Sequence, residues 1–327
     1  MNSERSDAFP RPPGLIASFT AGFNSVANHI ALITLPALFD LFLWLGPRLN
    51  VLEVFRPFLA AMPRLYGGMM DAETLAQAQE FWNSFLTRIN LFALLRTFPM
   101  GVSSLLASEM PLESPLGTPI VWSLTSFWTM LVAILLLIPI GWFLGGLYFS
   151  NVARIALSLP NPPGKRAIGH SILLSFFWLA VLSFGFFASL TLAGIFGWVN
   201  PALGQLVFYT LLFLSLWTLV PIYFSIHGIF AFQMNAIQSV LSSLRLTRFT
   251  FPFTSLFLTI SLLLSLGLRF LWLTPPADSW WLLVGILSND YISTALLAAS
   301  FIYYRDMSLW LEKALKQIQA QRTTLPS

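Results

Sequence analysis

Residues 127–150 read FWTMLVAILLLIPIGWFLGGLYFS, an uninterrupted run without one charged side chain. A helix needs roughly 20 apolar residues to cross a hydrocarbon core about 30 Å thick. This stretch supplies them within a longer run, Pro119–Ser150, and five more runs meet the same test: Phe23–Leu45, Ile168–Trp198, Leu203–Ile226, Phe251–Leu273 and Trp280–Tyr304. The pattern predicts an all-α integral membrane protein, a six-transmembrane-helix bundle with additional amphipathic interfacial helices. Composition agrees, with 57% hydrophobic and only 9% charged residues. Soluble domains carry about 25% charged residues, so this chain has too few to coat a water-facing surface. The first run is too long for a signal-peptide core and no small-residue cleavage site follows it, so it reads as a span.

The basic residues set the orientation. Arg5 and Arg11 precede the first run; Arg154, Lys165 and Arg166 lie in the second connection, and Arg245 and Arg248 in the fourth. Arg305, Lys313, Lys316 and Arg322 follow the last run, while the connections near Asn200 and Pro275–Ser279 hold no Lys or Arg. Short cytoplasmic loops carry the excess of Lys and Arg, so both termini are expected in the cytoplasm, most simply of a bacterial cell membrane. The pI near 9.6 therefore reflects membrane orientation. No basic stripe with interleaved aromatics marks a nucleic-acid surface, and nucleic acid is not an expected partner. Arg48, Arg56, Arg64, Arg88 and Arg96 fall on the outer side under this topology, which is tolerable because long loops translocate largely regardless of charge.

The domain reading is a flexible cytoplasmic leader (1–14), a membrane domain (15–304) with an outer amphipathic insertion at about 47–118, and a cytoplasmic amphipathic tail (305–327). In the insertion, Leu75, Ala78, Trp82, Phe85, Ile89 and Phe92 recur at steps of three and four. That spacing predicts an amphipathic helix over about Ala72–Leu95 whose apolar face buries Trp82, Phe85 and Ile89 at the membrane interface or against the bundle, with Asp71 capping its start. Residues 89–107 could alternatively form a re-entrant hairpin. Two further amphipathic segments stand out. Phe230, Met234, Ile237, Leu241 and Leu244 form an apolar stripe in 228–249; Met307, Leu311, Ala314 and Ile318 do the same in 306–320. Both are candidate contacts for membrane lipids or a protein partner.

Chemistry-bearing residues are few. The chain has no Cys, which removes disulfides, thiolate metal sites and a Cys nucleophile. No P-loop, HExxH, GxSxG or dinucleotide loop is present, so no catalytic, cofactor or metal residues are assigned and no cofactor is expected. Charges inside spans usually have a partner or a task. Asp40 and Arg269 fall near the outer ends of the first and fifth runs and Asp290 about ten residues into the sixth, which starts outside; at compatible depths, the three form a candidate intramembrane polar cluster, and Arg269 is expected to pair with at least one of the carboxylates. His29, deep in the first run, is a weaker candidate. His170 and His227 read as helix-end histidines bonded to carbonyls. Pro139 and Pro221 are expected to kink their spans.

Within Pro221–Leu264 the chain reads PIYFSIHGIFAFQMNAIQSVLSSLRLTRFTFPF (221–253). This resembles a segment of YciC-type membrane proteins and of the membrane domain attached to some glycerophosphodiester phosphodiesterases. There a span ends near a Pro, an amphipathic helix follows, and a run like Ala236, Ser239, Ser243, Leu244, Arg245 leads into the next span. Phe19–Pro36 resembles the approach to the family's first span. The resemblance implies a six-helix bundle without catalysis of its own and carries over no functional residue. The long outer insertion departs from that pattern.

The reading is thus a non-enzymatic polytopic membrane protein, a scaffold or accessory component. The alternatives are a transporter or permease subunit working with a separate ATPase and, further off, an intramembrane lipid enzyme. Reporter fusions test the topology: a fusion after Ser327 is expected to report cytoplasm and one at Asp71 the outside, and a cytoplasmic signal at Asp71 overturns it.

Overall fold

The computed structural model describes residues 12–68 and 70–324, side chains at 216, 217 and 320–324 excepted. Arg5 and Arg11 of the expected leader, and the side chain of Arg322, lie outside the described residues. The structure is 77% helical, so helix packing, with one small sheet among the described residues, sets the architecture. Among the described residues, five helical stretches are long and apolar enough to cross a membrane: α5 (Phe127–Ala156), α6 (Lys165–Val199), α7 with α8 (Pro201–Ser225 and His227–Phe232), α9 (Ala236–Trp272) and α10 (Leu282–Thr324). A sixth is made if a bent pair is counted as one, α1 (Leu15–Asn28) with α2 (Thr34–Leu45), joined through a 3-10 turn at Ile30–Ile33.

That pair corrects the expectation of one continuous first helix. The chain bends by 93° at the break, where His29 leaves helical geometry (φ −137°, ψ 60°). Pro36 supplies the reason. Its ring clashes with the carbonyl four residues back and it has no N–H to give, but it is tolerated in a first turn, where amides are unpaired anyway. The helix therefore stops and restarts at Thr34, with Pro36 in the new first turn. By contrast α5 and α7 run through Pro139 and Pro221. α9 is interrupted only at Thr250 (φ −123°, ψ 20°), two residues before Pro252.

The chain forms two compact units. The first holds the described residues of Met1–His29 with Phe149–Leu264 and Thr294–Ser327. Its core is aromatic: Phe19 stacks on Phe257 at 4.8 Å, Phe257 on Tyr303 at 4.4 Å, and Phe224 on Tyr304 at 5.9 Å. α6 and α7 form a hairpin. Asn200 turns the corner and caps α7 by accepting from the Ala202 amide at 2.8 Å, with Pro201 as the first helical residue. Gly204 lies so close to Gly197 that a Cβ there would sit 2.7 Å from the Gly197 Cα.

The stripe of 228–249 is divided. Phe230 is fully buried, Ile237, Leu241 and Leu244 are exposed, and Ser239 and Ser243 are fully buried. Their hydroxyls donate to the carbonyls of Ser225 and Pro221. Small serines let the helix start approach α7 closely, and an apolar surround rewards the hydroxyl–carbonyl bond. In the tail, Met307, Leu311 and Ala314 are buried as the period predicts, and Lys316 bridges Glu312 at 2.7 Å. The tail is no separate segment, since α10 runs without interruption from Leu282.

The second unit spans Ile30–Tyr148 and Ser265–Ser293. It contains β1 (Arg48–Asn50) paired in parallel with β2 (Val121–Ser123), and the helices α3 (Leu52–Tyr66) and α4 (Ala72–Arg88). Asp71 begins α4 as expected, accepting from the Thr74 amide and hydroxyl at 2.8 Å each. These bonds hold its carboxyl below the usual carboxylate range. The helix stops at Arg88, short of the expected Leu95. Asn50 donates to the carbonyls of Leu86, Thr87 and Ile89 at 3.0 Å each, and Arg48 to that of Arg88 at 2.6 Å. Side chains of β1 thus satisfy the carbonyls that a helix end leaves open. Burial, followed by the like charge of Arg88, pushes the Arg48 guanidinium pKa down.

The face of α4 is also split. Leu75 and Leu86 are buried, but Trp82 and Phe85 stay 41% and 49% exposed and cluster with Phe81. Trp82 and Phe85 are thus not buried against the protein and form an outward aromatic patch, the face that the alternative of burial at the membrane interface would use.

Gly22 of α1 meets α10 so closely that a Cβ would lie 2.5 Å from the Ala299 amide nitrogen and 2.6 Å from the Ala295 carbonyl oxygen. Gly22→Ala is expected to cost about 1–3 kcal/mol by overpacking, read as a lower thermal unfolding midpoint in detergent. Gly185→Ala, with open space around it, is expected to leave that midpoint unchanged.

Candidate functional site

The polar centre of the second unit grows from the segment after α4. A 3-10 turn at Leu91–Leu95 is followed by non-helical chain to Ala107, along which Met100, Val102, Leu105 and Leu106 are buried. Irregular backbone in apolar surroundings survives only if its polar groups find partners in the protein.

α2 supplies one such partner. Asp40 has no exposed surface. Its carboxylate accepts the Leu105 amide at 2.7 Å and the Leu106 amide at 3.1 Å, together with the Ser104 hydroxyl. The Ser104 oxygen in turn accepts the Ala107 amide at 3.0 Å. Arg269, near the end of α9, takes the opposite polarity. Its guanidinium donates to the Leu105 carbonyl at 2.8 Å, the Ser108 hydroxyl at 2.6 Å and Glu109 at 2.8 Å. The turn Ser104–Glu109 is thus held at its amides by an anion and at a carbonyl and two side chains by a cation.

Asp290 of α10 is also fully buried. Its carboxyl lies within hydrogen-bonding reach of Asp40 and accepts from the Asn289 amide group at 3.4 Å. A hydrogen bond between two carboxyl groups needs a proton on one of them. Arg96 lies near enough to Asp40 and Arg269 to feel both charges.

Of the three residues expected to cluster, the structure brings Asp40 and Asp290 together. It sets Arg269 beside them on the same turn, but among the described residues its ion pair is with Glu109, not with either aspartate. Composition and periodicity do not single out Glu109, Ser104, Ser108 or Asn289. Their one signal is polarity inside the short apolar runs around Leu105 and Ile286, which carries little weight alone.

The histidines play other parts. His29 sits exposed at the break after α1, with Nδ1 3.1 Å from the Ser25 carbonyl. His170 is 3.5 Å from the Arg166 Nε. His227 is buried, with Nδ1 3.1 Å from the Tyr223 carbonyl and Nε2 2.7 Å from the Ser300 hydroxyl, between the rings of Phe224 and Phe301. Both nitrogens are engaged, which suits a packed helix junction. Among the described residues no group of three or more His, Asp or Glu side chains is placed to hold a metal.

Compared with known proteins, the chain matches no family model, and neither a curated protein nor a solved structure is found similar to it.

Asp40→Ala leaves two buried amides without their acceptor, at about 1–3 kcal/mol each. The partly exposed Arg269–Glu109 pair is worth about 0.2–1 kcal/mol, so Asp40 dominates. Asp40→Ala is expected to expose residues 98–109 to amide exchange and protease. Glu109→Gln should change little. Asp290→Asn keeps the size of the side chain, removes one of two neighbouring carboxyls and should retain the fold.

Proposed function

We propose that this chain is a non-enzymatic, six-span integral membrane protein, with both termini in the cytoplasm, that serves as a scaffold or accessory component of the membrane. The observation that carries the reading is the use made of its intramembrane polar groups. Asp40 binds backbone amides, Ser239 and Ser243 bind backbone carbonyls, and His227 joins Tyr223 to Ser300. Groups bound in this way fix helices and loops in place. The apolar lengths of α5 to α10, and the bent α1–α2 pair counted as one span, support six crossings. The side on which Lys and Arg gather supports the orientation. The resemblance of 221–253 to YciC-type membrane proteins points the same way.

The Asp40–Asp290 pair favours one alternative, a transporter that couples to protons, because an ionisable group inside a membrane is by default a functional candidate. Proteoliposomes holding a pH-sensitive dye decide between the two. The scaffold reading expects wild type and Asp290→Asn to pass protons at the same background rate under an imposed pH gradient. A flux present in wild type and lost in the folded Asp290→Asn variant overturns it in favour of transport.

A further inference from the structure

The described tail of α10 and the start of α9 enclose a groove of about 480 Å³. Apolar side chains line it, among them Phe232, Met234, Leu309 and Leu315, together with the basic Arg245 and Lys316 and the hydroxyls of Ser242 and Ser308. The Tyr304 hydroxyl is 2.9 Å from that of Ser242. Glu312 also lines the groove, but it is bound by Lys316 at 2.7 Å. Arg245 is exposed and makes no ion pair among the described residues; it feels Glu312 only at longer range. Two cations against one carboxylate leave the groove with a net positive charge.

We infer that this groove holds an anionic glycerophospholipid. The inference rests on the reading that the chain sits in a membrane with this end on the cytoplasmic side. Charge complementarity selects the occupant. The lipid phosphate meets the planar donor fork of Arg245 and the Lys316 ammonium. The serine hydroxyls reach the ester and glycerol oxygens, and the first part of an acyl chain covers Phe232, Met234 and Leu309. A soluble anion would leave those apolar side chains uncovered, and a zwitterionic lipid would bring a choline cation against Arg245. Exposed Ile237, Leu241 and Leu244, on the same stretch of α9, place apolar side chains where they can dip into the leaflet beside the groove.

The test uses the full-length protein in detergent, titrated with dioleoylphosphatidylglycerol or dioleoylphosphatidylcholine and read by native mass spectrometry. Wild type is expected to bind the anionic lipid at least tenfold more tightly. Arg245→Gln with Lys316→Gln, both at exposed positions, should remove that preference while leaving phosphatidylcholine binding and the unfolding midpoint unchanged. Lys313→Gln, outside the groove, should keep the preference. Equal affinity for both lipids, or a preference that survives the double substitution, overturns the inference. Displacement of the bound lipid by millimolar glycerol 3-phosphate also overturns it, since the site would then be for a soluble anion. The scaffold reading is tested separately by proton flux, so either can fail without the other.

Discussion

Backbone polar groups that leave a helix in apolar surroundings need a partner, and one carboxylate meets much of that need. Asp40 closes the amides of Leu105 and Leu106 and fixes Ser104, which closes that of Ala107. The side chains of Met100, Leu105 and Leu106 are buried only because this turn can stay there. Arg269 completes the arrangement from the other polarity at the Leu105 carbonyl. The break before α2 belongs to the same logic. Pro36 forces a fresh helix start, and Asp40 stands one turn beyond it.

A second economy recurs through the molecule: buried polar side chains end on backbone. Asn50 and Arg48 finish α4, Ser239 and Ser243 join the start of α9 to carbonyls of α7, and the Trp44 indole donates to the Ala277 carbonyl at 2.7 Å. Such bonds cannot be read from hydropathy, because the side chains concerned look like ordinary loop or solvent residues. They also explain why polar positions occur along helices whose outward faces are apolar. In a membrane the outside is greasy, so a polar residue is better placed against protein than against lipid.

The Asp40–Asp290 pair and the basic groove on α9 and α10 ask for different chemistry. One sets two carboxyl groups together without exposed surface; the other offers exposed cations among apolar side chains. The first suits holding a fold together. The second suits meeting a molecule that is itself half charged and half apolar, which a phospholipid is.

The sequence by itself determined the helical class, the apolar stretches later found as α5 to α10, the Asp71 cap, the Glu312–Lys316 bridge and the buried Met307–Leu311–Ala314 stripe. Each depends on residues within a turn or two, or on the length of one run. It also singled out Asp40, Asp290 and Arg269, because a charge in an apolar run is conspicuous. Tertiary structure alone decided that Arg269 meets Glu109, that α4 ends at Arg88, that the pair β1–β2 forms, and that Ser239 and Ser243 face inward while Ile237 and Leu241 face out. Periodicity shows that a helix has two unlike faces. It does not say which is turned inward when lipid can solvate the apolar one and a neighbouring carbonyl can satisfy the polar one. Partners such as Asn50 and the Leu86 carbonyl are 36 residues apart, and only the folded chain brings them together.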